Sequence, residues 1–147
     1  MRIVLQRVSH ASVDVAGKRI AEIDRGLLLL VGIAAEDSRI DLTKTAKKIV
    51  DLRIFEDEEH KMNLSLRDIG GAVLAVSQFT LYADVSKGRR PGFANAAPPE
   101  LAASLFESFV ETLRVESSDV QTGEFGAKMA VKLENDGPVT LILEVAA

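Results

Sequence analysis

The stretch that most constrains the fold is GLLLLVGI, Gly26 to Ile33. It is continuous and apolar, and it follows the turn Asp24-Arg25-Gly26. A membrane span needs about 18 or more unbroken apolar residues, and even GLLLLVGIAA falls short of that. A short run without alternation is the pattern of a strand covered on both faces. Some layer of structure must therefore lie on each side of it. The chain offers only two convincing helices for that purpose. In the first, Leu42, Ala46, Ile49 and Val50 share one face, with Ser38 or Asp41 as the cap. The second opens at Pro98-Pro99-Glu100, where the first turn has spare N–H groups. Leu101, Leu105, Phe109 and Leu113 then stack along it, widened by Ala102, Phe106 and Val110.

The remainder reads as strands. Ile3 to Val8 and Ser12 to Val15 alternate, and Ala16-Gly17-Lys18-Arg19 turns the chain back through Arg19 to Ile23. After the turn Asp68-Ile69-Gly70-Gly71, AVLAVSQFTLYAD reads as one long strand. The C-terminal third returns to strands in SSDVQTG, KMAVKLE and VTLILEV, with Asn135-Asp136-Gly137 closing the last two as a hairpin. The expected fold is α/β, one domain over residues 1–147. Mixed and antiparallel sheets pack on each other with the two main helices on one side, a three-layer, half-barrel-like arrangement. Two helices cannot cover so much sheet. The remaining face must meet a second sheet or a second copy of the chain.

Composition narrows the function by exclusion. The chain has no Cys, so disulfides and thiolate metal sites are ruled out. His10 and His60 are the only histidines and lie outside any metal-binding spacing, so neither a metal nor another cofactor is expected. The net charge of −4 argues against coating nucleic acid, DNA included, by charge alone. It leaves room for a local patch, and Lys87, Arg89 and Arg90 in KGRRPGF form the densest basic cluster. The N-terminus alternates and lacks the layout of a signal peptide, so a cytoplasmic protein without a membrane partner is expected.

Three stretches can carry chemistry. In SQFTLYAD, Ser77, Gln78 and Thr80 place polar groups in an apolar run. On pattern alone, plain strand alternation is a simpler account of them than a ligand. In TGEFGAKM, glycines flank Glu124-Phe125, as in a bulged turn or a close approach of ligand to backbone. In NDGPVT, Pro138 removes an N–H at the start of a strand that must pair, which a hairpin alone does not call for.

Together with MRIVLQRV and KGRRPGF, these stretches resemble the D-aminoacyl-tRNA deacylases over essentially the whole chain. Gly92 departs from the family's usual larger polar residue in the basic loop. The resemblance implies hydrolysis of the ester between a D-amino acid and the 3′-terminal ribose of tRNA. Glycine mischarged on tRNA(Ala) is implied as a further substrate. It also implies a homodimer with active sites at the subunit interface, meeting the 3′-terminal adenosine end of the tRNA. Gln78, Phe79 and Thr80 would act on the reacting carbonyl, and Ser77, Phe125 and Met129 would line the pocket. Gly137-Pro138 would be a cis peptide aimed into the partner's pocket, braced by Arg7, and Lys87, Arg89 and Arg90 would meet phosphates. Core packing for Phe125 and Met129, a surface role for Arg7 and a solvated loop for the basic cluster stay open. So does the choice between Thr80 and the tRNA 2′-hydroxyl as the driver of catalysis. A non-catalytic RNA-binding module, a small-molecule esterase and a structural dimer are the competing readings.

Overall fold

One strand organises the computed structural model, which describes residues 1–147. It is β1 (Arg2–Val15), formed by both N-terminal alternating segments running together. Its first half pairs with β3 (Gly26–Gly32), and its second half pairs with β2 (Lys18–Ile23). Its other edge pairs along its length with β8 (Met129–Glu144). All three pairings are antiparallel. Ala16 and Gly17 reverse the chain between β1 and β2 with φ of 50° and 76°, as a two-residue hairpin turn requires.

The sheet continues through β6 (Ala72–Ser77), parallel to β3, and β7 (Val120–Thr122), parallel to β6. It then curls until β7 reaches β2, where Glu22 N–H donates to Gln121 Oε1 at 2.9 Å. The result is a mixed, nearly closed, barrel-like sheet with few helices in a single α/β domain. A small hairpin of β4 (Phe55–Glu56) and β5 (Met62–Leu64) stands apart from it.

The main helices are α1 (Leu42–Asp51) and α3 (Pro99–Glu116), with a single turn, α2 (Leu66–Ile69), between them. Asp41 rather than Ser38 caps α1, accepting from Lys44 N–H at 2.9 Å. Both main helices pack on one face of the sheet. There Ile49, Val50, Phe106, Phe109 and Leu113 meet Ile3, Leu5, Leu27, Leu29 and Val31. The other face curls round its own core of Val8, Ala11, Val13, Ile23, Leu28, Leu74 and Val76. Successive leucines of the LLLL run thus enter opposite cores, which accounts for its lack of alternation. Burying each contributes about 1.5–3 kcal/mol.

Two expected elements are different. AVLAVSQFTLYAD is not one strand: β6 stops at Ser77 and a 3-10 turn follows over Phe79–Tyr82. β3 gives out at Gly32, so the chain beyond Ser77 has no ladder to extend. NDGPVT does not close a hairpin. β8 is one strand that stays on β1, and the register jumps from Gln6–Thr140 to Val8–Asn135. Asp136 to Val139 therefore bulge out opposite Arg7 alone. Alternation on both sides of a bulge looks the same as two strands round a turn.

Candidate active site

The end of β6 builds the first part of the site. Gln78 N–H donates to Val31 O at 2.8 Å, and the 3-10 turn follows, with Leu81 N–H to Gln78 O at 3.2 Å and Ala83 N–H to Thr80 O at 3.0 Å. The turn lies on Gly32. A Cβ there would sit 3.0 Å from Leu81 Cβ and 3.2 Å from the Tyr82 ring, so only glycine lets the turn close down. Arg2 secures its far end, donating from Nη1 to Leu81 O at 2.7 Å with its guanidinium 5.1 Å from the Tyr82 ring centre. This geometry leaves the N–H groups of Phe79 and Thr80 at the head of the turn, where a helix offers them no partner.

A pocket of about 500 Å³ opens beside this turn. Ser77, Gln78 and Phe79 line it from β6 and the turn, Phe125 from the segment joining β7 to β8, and Met129 from the start of β8. Phe125 also packs 6.3 Å from Phe106, so it serves both the core and the pocket wall. Thr80 is exposed and is not part of the lining; it joins the pocket through Gln78, its Oγ1 accepting from Gln78 Nε2. None of the lining residues is titratable. Nearby Tyr82 is pushed up to about 12 by burial, reinforced by the negative charge of Asp37 and Glu144, so it stays neutral. A larger cavity of about 600 Å³ near Glu36–Arg39 contains none of the candidate residues.

Gly137 and Pro138 do not line that pocket. They are exposed in the bulge of β8, joined by a cis peptide bond. Arg7 is not a surface charge: it is 3% exposed. Its Nε donates to Asp136 O at 3.0 Å and its Nη1 to Ile54 O at 2.6 Å. The catalytic and substrate-binding residues read from the sequence thus fall into two groups on one chain, a pocket group and a bulge group.

The basic residues form a third group. Asp84 and Gly92 exchange backbone hydrogen bonds at 2.7 and 2.9 Å and close a loop that presents Lys87, Arg89 and Arg90. All three are exposed, and none has an ion-pair partner within 4.0 Å. The Ser86 hydroxyl and then its N–H hold the Asp84 carboxyl below its ordinary 3.8. Phe93, which the sequence did not single out, ties this loop to the pocket, edge-on to Phe79 at 5.1 Å between ring centres. Its position next to KGRRPG was the available signal. Asn135 was also missed, although it opens the NDGPVT motif.

The sequence profile of the D-Tyr-tRNA(Tyr) deacylase family matches residues 4–144. The chain belongs to that family. It is therefore a hydrolase of the deacylase type, as the resemblance in the three motifs implied. The D-aminoacyl-tRNA deacylase of Chloroherpeton thalassium is 59% identical over 145 residues, covering 98% of this chain and 95% of the relative. That of Bacillus licheniformis is 54% identical over 147 residues, with both chains fully covered. Among solved structures, one named c-Myc DNA Unwinding Element Binding Protein is 45% identical, with a TM-score of 0.93 and full coverage of both chains. A probable eukaryotic D-amino acid tRNA deacylase, 20% identical, shares the fold with a TM-score of 0.83 over 97% of each chain.

Proposed function

We propose that this enzyme hydrolyses the ester of D-aminoacyl-tRNA and rejects the L form by a wall supplied from a second copy of the chain. The observation that carries this reading is the pocket itself. It is largely apolar, contains no titratable side chain, and is lined by Phe79, which with Thr80 opens a turn whose first N–H groups have no partner within it. Those of Phe79 and Thr80 suit the oxygen of an ester carbonyl as it takes on negative charge. A side-chain nucleophile would need a base to remove its proton. The Thr80 hydroxyl has only the Gln78 amide beside it, and that amide donates. Thr80 and Gln78 therefore orient, and water attacks. The 2′-hydroxyl of the terminal ribose, adjacent to the ester, is the group left to assist that water.

The second copy enters through β8. This strand has β1 as its only neighbour and exposes Leu133, Leu141 and Ile142, the last at 68%. An apolar edge of this kind suits a homodimer. The exposed Gly137-Pro138 bulge sits on the same strand and would cover the partner's pocket. Its carbonyl oxygens would meet the substrate's α-ammonium group. The backbone beside Cα would then exclude the side chain of an L residue. Glycine has no side chain to exclude, so glycyl esters, including glycine on tRNA(Ala), would also be cleaved. Lys87, Arg89 and Arg90 would receive phosphates near the 3′-terminal adenosine. No cofactor enters this scheme, and its substrate places it in the cytoplasm.

The test is the release of amino acid from D-tyrosyl-tRNA, L-tyrosyl-tRNA and D-tyrosine ethyl ester. Rapid release from the first alone supports the reading. Equal rates on both tRNAs remove the chiral wall, and a preference for the free ester makes the chain a small-molecule esterase.

A further inference from the structure

We propose that Asn135 is a positioning residue that fixes the geometry of the Gly137-Pro138 bulge, and through it the enzyme's choice between D and L substrates. This rests on the function proposed above. Asp136 to Val139 have no paired residues on β1. An insertion of this size frees backbone groups that a sheet would otherwise satisfy. Side chains take over at both ends. Arg7 Nε–H holds Asp136 O at the start, at 3.0 Å. Asn135 Nδ2–H holds Val139 O at the finish, at 3.1 Å.

The same Asn135 nitrogen donates its other proton to Arg7 O at 3.0 Å. Both donors of the amide are thus in use, one on the bulge and one on the strand from which it departs. Val139 is 3% exposed, so the end that Asn135 grips is anchored in the core. The amide oxygen has a further place. A Cβ on Gly137 would lie 2.6 Å from Asn135 Oδ1. One short, planar group therefore spans the base of the bulge and packs beneath Gly137. Aspartate has the shape but, ionised, no donor, and it would set a charge against two carbonyls. Alanine leaves both carbonyls to water.

The test compares Asn135→Asp and Asn135→Ala with wild type on D- and L-tyrosyl-tRNA, alongside thermal midpoint and dimer mass. The expected result is a folded dimer with a melting point near wild type. The D-specific rate falls by about tenfold or more, as when a displaced bulge gives up one or two of its own hydrogen bonds to the substrate in the transition state, and the D-over-L ratio shrinks. A role confined to stability would lower the melting point and leave that ratio unchanged, which would overturn the proposal. Wild-type rates and selectivity in the folded variants would also overturn it, as would failure of both variants to fold. An inactive wild type would overturn the functional reading and this proposal together, whereas unaffected variants beside an active wild type would overturn this proposal alone.

Discussion

Neutralising the basic loop gives a prediction whose size follows from the structure. Lys87, Arg89 and Arg90 are exposed on a closed loop and none has an ion-pair partner within 4.0 Å. Each phosphate they neutralise releases counterions and contributes roughly 0.7–0.9 to the slope of log kcat/KM against log salt. Three contacts therefore account for a slope of about 2–2.7, or roughly 20–40-fold over a fourfold change in salt. Replacing all three by alanine should flatten the salt dependence by that amount and lower kcat/KM most at low salt. The comparison is the triple alanine variant of Lys44, Lys47 and Lys48, which are equally exposed on α1. It changes the net charge by the same amount at a distance from the loop, and its slope should match wild type. The assay is deacylation of D-tyrosyl-tRNA from 50 to 200 mM potassium chloride, at about the ionic strengths where such slopes are resolved. Equal flattening in both triple variants would show that net charge, and not the loop, governs the encounter. An unchanged slope in the loop variant would remove the loop from the RNA interface.

The other expectations are briefer. Thr80→Val should keep turning over, with a loss of about 10–100-fold; complete loss of turnover in a folded protein would make Thr80 the nucleophile. Phe93→Ala removes an edge-to-face partner of Phe79 worth about 0.5–1.5 kcal/mol and should reduce kcat/KM while lowering the melting point by only a few degrees. Phe109→Ala empties a fully buried site and should cost about 3–5 kcal/mol, read as a lower midpoint in urea. The carboxyl of Asp84 lies below 3.8 because Ser86 hydrogen-bonds its charged form. Its support for the loop is therefore fully present above that pH and is lost as pH falls through the lowered value. A carboxyl titration followed by NMR should show this in wild type, with a return toward 3.8 in Ser86→Ala.

The sequence revealed the layers of the fold better than its joints. The unbroken LLLL run required two covered faces, and Leu27, Leu29 and Leu28 do enter opposite cores. The spacing of Leu42 to Val50 and of Leu101 to Leu113 marked both main helices, because one apolar face of a helix repeats in a way no strand does. The end of β6 was not legible. Ser77-Gln78-Phe79-Thr80 alternates correctly for a strand, and only the loss of neighbouring strands, a non-local fact, ends it. The bulge at Asp136 to Val139 was hidden for the same reason, since local pattern does not say which strand lies opposite. For the site, Ser77, Gln78, Phe79, Phe125 and Met129 were legible as candidates and come together round one pocket, while Thr80 reaches it only through Gln78. For Arg7 the resemblance implied a brace and the local pattern left a surface charge open, because its burial depends on Ile54 and on the bulge, both distant in sequence. Phe93 and Asn135 acquire meaning only through the contacts they make.

The central claim is that a pocket on one copy is completed by Gly137-Pro138 of another, and subunit mixing tests it most directly. Two variants are made, each inactive alone: Met129→Arg, which blocks the pocket, and Gly137→Val, whose Cβ would press on Asn135 Oδ1. They are unfolded together and refolded as a mixture. Random pairing yields about half heterodimers, each with one intact pocket facing one intact bulge, so about a quarter of wild-type D-tyrosyl-tRNA deacylation should return. A mixture as inactive as its components would contradict the account and place each complete site within a single chain.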